Sequence, residues 1–267
     1  MADKQAQFLS VGEGAAARQI AMIQEKPTRP AEAAAGVMWL CGLKSEMTST
    51  KASALADWAA ASNVACTRFD YSGHGQSEGA FEAGTVTRWL EETRAVFERC
   101  TAGPIVLVGS SMGGYMALLL LRALQREAPA EAQRIKALVL IAPAWDMTDL
   151  MWRNFSAEAR RAITETGVYH RPSAYGDGAY PISKAFIEDG RNHLIGNEPF
   201  DPGRPVHIIH GLLDPDVPWE HTLDLVAHMR GDWTRVAAVP DGEHRLSRPE
   251  DIALMLDIVA AHVEDAA

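Results

Sequence analysis

Short, near-continuous apolar runs alternate along this chain with segments whose apolar residues recur at helical spacing. A strand covered on both faces has no polar side to show. Runs of this kind therefore predict a mostly parallel sheet with helices packed on both faces. Residues 37–41 form the first such run, ended by Gly42. Residues 64–69 form the next, closed by Asp70 and the loop Tyr71-Ser72-Gly73-His74-Gly75. Residues 104–109, 135–141 (stopped by Ala142-Pro143), 206–210 and 235–239 complete the set. All six are expected in the middle of the sheet. The stretch up to Ile23 predicts a further strand pair, antiparallel.

Between the strands, Val86, Trp89, Leu90, Thr93, Val96 and Phe97 mark one helix face, with Glu91, Glu92, Arg94 and Glu98 opposite. Ile252, Met255, Leu256, Val259 and Val263 form a similar stripe in the last helix. Residues 116–121 are apolar all round, which predicts a helix buried against the sheet. One stretch breaks the rhythm. Residues 142–205 separate two predicted strands, far more than a crossover needs, and loops beyond about 15 residues are uncommon unless they have a task. The stretch carries Trp145, Met151, Trp152, Phe155, Tyr175 and Tyr180, which need cover. It predicts a mostly helical cap over the carboxyl edge of the sheet. The expected organisation is one α/β domain over 1–267 with 142–205 inserted into it.

Charge narrows the partners. Against 25 Lys+Arg stand 35 Asp+Glu, a net charge of −10, and a binder of nucleic acid or anionic membrane needs a basic surface. Cys41, Cys66 and Cys100 lack the spacing of a disulfide scaffold or zinc site and read as free thiols. No basic stretch followed by an apolar core opens the chain. Asp3, Glu13 and Glu25 are out of place in a transit peptide, and no apolar run approaches the roughly 20 residues of a membrane span. A cytoplasmic protein without membrane insertion is expected.

The chemistry centres on Gly109-Ser110-Ser111-Met112-Gly113-Gly114, which fits G-x-S-x-G with Ser111 as nucleophile. The motif follows the clearest strand and precedes a helix. In so tight a turn, side chains at positions 109 and 113 would strike neighbouring backbone. A serine hydroxyl needs a base. Of the nine histidines, His244 lies between the last strand and the last helix, at the edge where Ser111 emerges. His207 and His210 fall in or at the end of a strand, and the others on helices, loops or the cap. The third member, which orients the base, is Asp214, after the strand at 206–210, with Asp216 as its competitor. Asp70 precedes the serine and suits a turn-stabilising role. The order serine, acid, histidine is that of α/β-hydrolases. An oxyanion hole is expected from the backbone N–H groups of Met112 and Leu43. H-E-x-x-H and similar ligand clusters are missing from the sequence, so neither a metal nor an organic cofactor is expected.

Gly42-Leu43-Lys44-Ser45-Glu46-Met47 with Lys51-Ala52, Arg68-Phe69-Asp70-Tyr71-Ser72-Gly73, Leu107 to Gly114, His210-Gly211, Asp214, Val217-Pro218-Trp219 and His244-Arg245 together carry a resemblance. The chain resembles α/β-hydrolase serine hydrolases from about Val37 to its end. Within them a closer similarity is to mitochondrial palmitoyl-protein thioesterases that also act as mycophenolic acid acyl-glucuronide esterases. The resemblance implies a serine esterase or thioesterase with Ser111, Asp214 and His244 as triad, and it departs in the missing transit peptide. The expected substrate is a small or lipid-like acyl ester or thioester, S-acylated protein included. Arg153, Arg171 and Arg245 are candidates to meet an acidic leaving group. The rivals are an aminopeptidase-like peptidase of the same fold and a non-catalytic ligand-binding homologue. A dehalogenase would need an aspartate in place of Ser111.

Overall fold

The computed structural model describes residues 5–27, 35–172 and 178–265; Asp3 and Tyr175 lie outside them. The chain opens with the antiparallel pair β1 (Gln7–Val11) and β2 (Arg18–Glu25), then β3 (Gly36–Leu40), α1 (Thr50–Ala61) and β4 (Cys66–Phe69). There follow α2 (Val86–Cys100), β5 (Ile105–Ser110), α3 (Met112–Glu127), the single turn α4 (Pro129–Ala132) and β6 (Ile135–Ile141). The long segment after β6 holds α5 (Met147–Asn154), α6 (Ala157–Thr166), β7 (Val168–Arg171), β8 (Tyr180–Ser183) and α7 (Lys184–Gly190). The chain closes with β9 (Val206–Gly211), α8 (Trp219–His228), β10 (Thr234–Val239) and α9 (Pro249–Asp265).

Eight strands make one sheet in the order β1-β2-β4-β3-β5-β6-β9-β10, and β7 and β8 pair separately as an antiparallel ribbon. From β4 to β10 every pairing is parallel. This is the α/β-hydrolase fold: a mostly parallel sheet with helices on its faces. The chain leaves β3 towards β4 on one side and returns as β5 on the other. The carboxyl ends of β3 and β5 therefore border a crevice at the point where strand order reverses, where such sheets take their ligands.

The core forms as the apolar runs predict. β3 and β5 are buried along their whole length, and Met116, Ala117 and Leu118 to Leu121 of α3 are sealed against the sheet. α2 begins at Thr85, whose hydroxyl accepts the Arg88 N–H and satisfies one of the helix's unpaired amides. Among the described residues, no helix is long and apolar enough to cross a membrane. All three cysteines are free thiols.

Two expectations are corrected. β10 is the sheet's edge, not its middle, and Val236 there is 37 % exposed. Its apolar run covers one face only, and among the described residues no strand pairs beyond it. Glu92 belongs to the buried face of α2. It is fully buried, paired with the Arg18 guanidinium and accepting the Ser72 N–H at 2.9 Å. The segment 142–205, expected to be a mostly helical cap, combines α5, α6 and α7 with the β7–β8 ribbon, in which Tyr169 lies opposite Ile182 and Arg171 opposite Tyr180.

Candidate active site

Ser111 sits where β5 turns sharply into α3. Its backbone is left-handed in φ (54°), which an L-residue adopts only under strain of about 1–3 kcal/mol. Two glycines permit the turn. A Cβ on Gly113 would run into the Leu40 carbonyl, and one on Gly109 into the Gly113 carbonyl. The bent backbone is pinned from both sides, since the Ser111 N–H donates to Ile141 O (2.8 Å) and Ser111 O accepts from Ala144 N (3.1 Å). A serine at the start of a helix ordinarily caps it with its hydroxyl. Ser111 makes no such bond. Its Oγ lies instead 3.0 Å from His244 Nε2.

His244 arrives on the loop between β10 and α9, Asp214 on the turn after β9. His244 Nδ1 is 2.7 Å from Asp214 Oδ2. The other carboxylate oxygen, Oδ1, accepts the N–H groups of Asp216 (2.8 Å) and Val217 (2.9 Å). The three side chains expected from sequence therefore meet in one hydrogen-bonded line. Asp216 does not take Asp214's place: its carboxylate turns to Arg171 Nη2 on β7, 3.0 Å away. Asp70 lies elsewhere, accepting the N–H groups of Met47 and Gln76 at 2.6 and 2.9 Å, which ties together the loops after β3 and β4. Burial raises its pKa.

Leu43 follows Gly42 in a turn closed by Ser45 N–H to Gly42 O (3.0 Å), with Lys44 left-handed at φ 55°. Met112 is the first residue of α3. Among the described residues, neither the Leu43 nor the Met112 N–H donates to a backbone acceptor. Leu43 lines the same cavity as Ser111, and Met112 is the next residue after it in the chain.

A cavity of about 470 Å³ opens over Ser111 and His244. Leu43 and Val217 on the sheet side, and Met147, Met151, Phe155 and Ile182 on the 142–205 side, give it apolar walls. Lys44, Lys51, Arg171 and Arg245 add four cations, against the Asp216 carboxylate, in a chain that is acidic overall. Arg171 and Arg245 thus reach the cavity. Arg153 does not: it is exposed and pairs with Asp149 within α5. Lys44 stands over the Tyr180 ring at 4.9 Å and so joins the loop after β3 to β8. Lys51, buried at the start of α1, hydrogen-bonds Arg245 O and lies 3.3 Å from Ser247 Oγ. Burial pushes its pKa down to about 8. Sequence reasoning assigned neither lysine a place at the site. The available signal for Lys51 was a lone cation in an apolar helix.

Asp214, Asp216 and His244 are also close enough to share a cation. Their atoms are already committed: His244 Nδ1 to Asp214, and Asp216 to Arg171. A cation bound there would break the line that reaches Ser111.

Comparison with known proteins finds a matching family, sequence relatives and superposable structures. The family model described as serine aminopeptidase, S33 (Hydrolase_4) matches residues 31–178. The mitochondrial palmitoyl-protein thioesterase ABHD10 of Bos taurus is 30 % identical over 222 residues, covering 83 % of this chain and 70 % of the relative. The crystal structure of a protein from Agrobacterium vitis S4 superposes with TM-score 0.92 at 41 % identity, covering 97 % of this chain and 98 % of that one. The structure of alpha/beta hydrolase domain-containing protein 10 from mouse superposes with TM-score 0.84 at 27 % identity, covering 98 % and 100 %.

Proposed function

The chain belongs to the S33 (Hydrolase_4) family of α/β-hydrolases, and from that premise we propose that it is a serine hydrolase of carboxylic esters or thioesters. The observation that carries the reading is the unbroken line Ser111–His244–Asp214 at the floor of an apolar-walled cavity.

His244 Nε2 takes the proton from Ser111 Oγ as that oxygen attacks the acyl carbonyl carbon. Charge gathers on the carbonyl oxygen and is met by the N–H groups of Leu43 and Met112. Because the Ser111 hydroxyl does not cap α3, the Met112 N–H and the helix dipole remain available to that charge. Asp214 stabilises the imidazolium and keeps its Nε2 aimed at the serine. His244 then protonates the departing oxygen or sulfur, which leaves the acyl group on Ser111. A water, deprotonated by His244, attacks the acyl-enzyme, and release of the acid returns the proton to Ser111 Oγ.

The apolar walls suit an acyl chain, and the four cations suit a leaving group that carries negative charge. The same cations disfavour an aminopeptidase, whose substrate brings a free ammonium group. Asp216, the carboxylate able to receive it, is already held by Arg171. Relatedness to palmitoyl-protein thioesterases supports thioesters, S-acylated protein among them, as substrates.

A fluorophosphonate probe tests the reading. A mass gain on Ser111 that Ser111→Ala abolishes is expected; a well-folded protein that stays unlabelled leaves only a binding role. A panel of aryl esters of rising chain length, acyl-CoA, an S-acylated peptide, an acyl-glucuronide and an aminoacyl anilide then sorts the substrates. Preference for the anilide would overturn the ester reading.

A further inference from the structure

His210 is fully buried at the end of β9, four residues before Asp214. It takes no part in the reaction above, yet both its nitrogens are engaged. Nε2 lies 3.0 Å from Val217 O. A carbonyl oxygen only accepts, so Nε2 carries the ring proton and donates. That leaves a lone pair on Nδ1, and Thr222 Oγ1 on α8 stands 2.9 Å from it and donates its hydroxyl proton. Burial lowers the His210 pKa and favours this neutral form.

Val217 connects this pair to the site. Its carbonyl is gripped by His210, and its N–H donates to Asp214 Oδ1. The hydrogen bonds thus run without a gap from Thr222 to His210, Val217, Asp214, His244 and Ser111. The two amides on Oδ1 can hold the carboxylate only while the turn at 214–217 keeps its shape, and nothing in a four-residue turn guarantees that shape. Trp219 borders the ring with centroids 5.6 Å apart, but a ring contact does not direct a carbonyl.

We infer that His210, oriented by Thr222 and acting through Val217, is a positioning residue that holds the Asp214 carboxylate where it orients His244. The inference rests on the triad reading, and the two fail differently. If wild-type protein is not labelled at Ser111, the triad reading falls. If labelling succeeds, His210 is judged by its variants. His210→Leu fills the space without a donor, and kcat on a short aryl ester is expected to fall roughly 10- to 100-fold with KM nearly unchanged, as misplaced catalytic groups do. His210→Gln returns an N–H to the reach of Val217 O and is expected to recover most of that loss. A filler role would rank the two by packing instead. The downfield proton resonance of His244 Nδ1–H, expected in wild type and His210→Gln, should vanish or broaden in folded His210→Leu. Thr222→Val removes one hydroxyl and little volume, and serves where His210→Leu does not fold; a several-fold loss of kcat at constant KM is expected from the freed imidazole. Wild-type kcat in folded His210→Leu, or in Thr222→Val when the leucine variant does not fold, would overturn the inference. So would a glutamine variant no better than the leucine one.

Discussion

Ser111 carries two local costs at once: a left-handed backbone and a hydroxyl that caps nothing. Glycine tolerates the first and has no hydroxyl to misplace. Ser111→Gly is therefore expected to be inactive yet more stable than wild type by about 1 kcal/mol or more, measured by urea unfolding. Lower stability in the variant would remove strain from the account. Beside it, Asp214→Asn keeps the shape of the acid but presents the wrong hydrogen-bonding pattern to His244. A fall in kcat of roughly 10⁴-fold is expected, as found when a triad aspartate is so changed in a serine protease. Asp216→Asn keeps the main-chain amide that donates to Asp214 and should cost far less; the reverse order would transfer the role to Asp216. Sequence alone favoured Asp214, the nearer to the strand end, and kept Asp216 as its competitor, because two residues on one turn differ chiefly in which way the turn points them.

At the scale of elements, the segment between β6 and β9 covers the cavity with side chains from α5, β7 and β8. Met151 faces the cavity from α5. Met151→Trp adds bulk where a long acyl chain would run. The expected outcome is a several-fold rise in KM for long aryl esters with little change for acetyl esters, read from initial rates. Equal effects at every chain length would show that the acyl chain lies elsewhere. The strands were legible because burial on both faces writes a continuous apolar run, as in β3, β5 and β6. β7 and β8 were not. Tyr169, His170, Pro181 and Ser183 give neither alternation nor an apolar run, and their pairing is set by the two strands facing each other. Glu92 misled for a related reason: its burial depends on Arg18, 74 residues away in sequence.

For the whole molecule, the buried histidines contribute a pH dependence whose sign follows from the direction of their shifts. His74, enclosed by Tyr71, Phe81 and Trp89, has its pKa pushed down to about 4 by burial. Burial also lowers those of His193, His207, His210, His221 and His262. A base harder to protonate when folded than when unfolded gives the unfolded chain the greater proton uptake in acid. Stability from these groups is complete above about pH 6.5, the ordinary imidazole value, and is lost as pH falls towards 4. His74 alone accounts for a loss on the order of 3 kcal/mol across that window. Urea midpoints should fall between pH 7 and pH 5, and less steeply in His74→Phe. Equal steepness in wild type and His74→Phe would show that the His74 ring is not held neutral.

The order of apolar runs and the glycines flanking Ser111 determined a doubly wound sheet with a sharp serine turn after its clearest strand. Both are local properties: a buried strand must be apolar along its length, and a tight turn excludes Cβ atoms wherever it occurs. Which strand ends as an edge, which acid meets His244, and that His210 lies behind Asp214 depend on surfaces brought together from distant parts of the chain. Only tertiary packing fixes such choices, because a hydrogen bond of 2.7 to 3.0 Å is decided by the relative placement of whole elements and not by the residues that compose them.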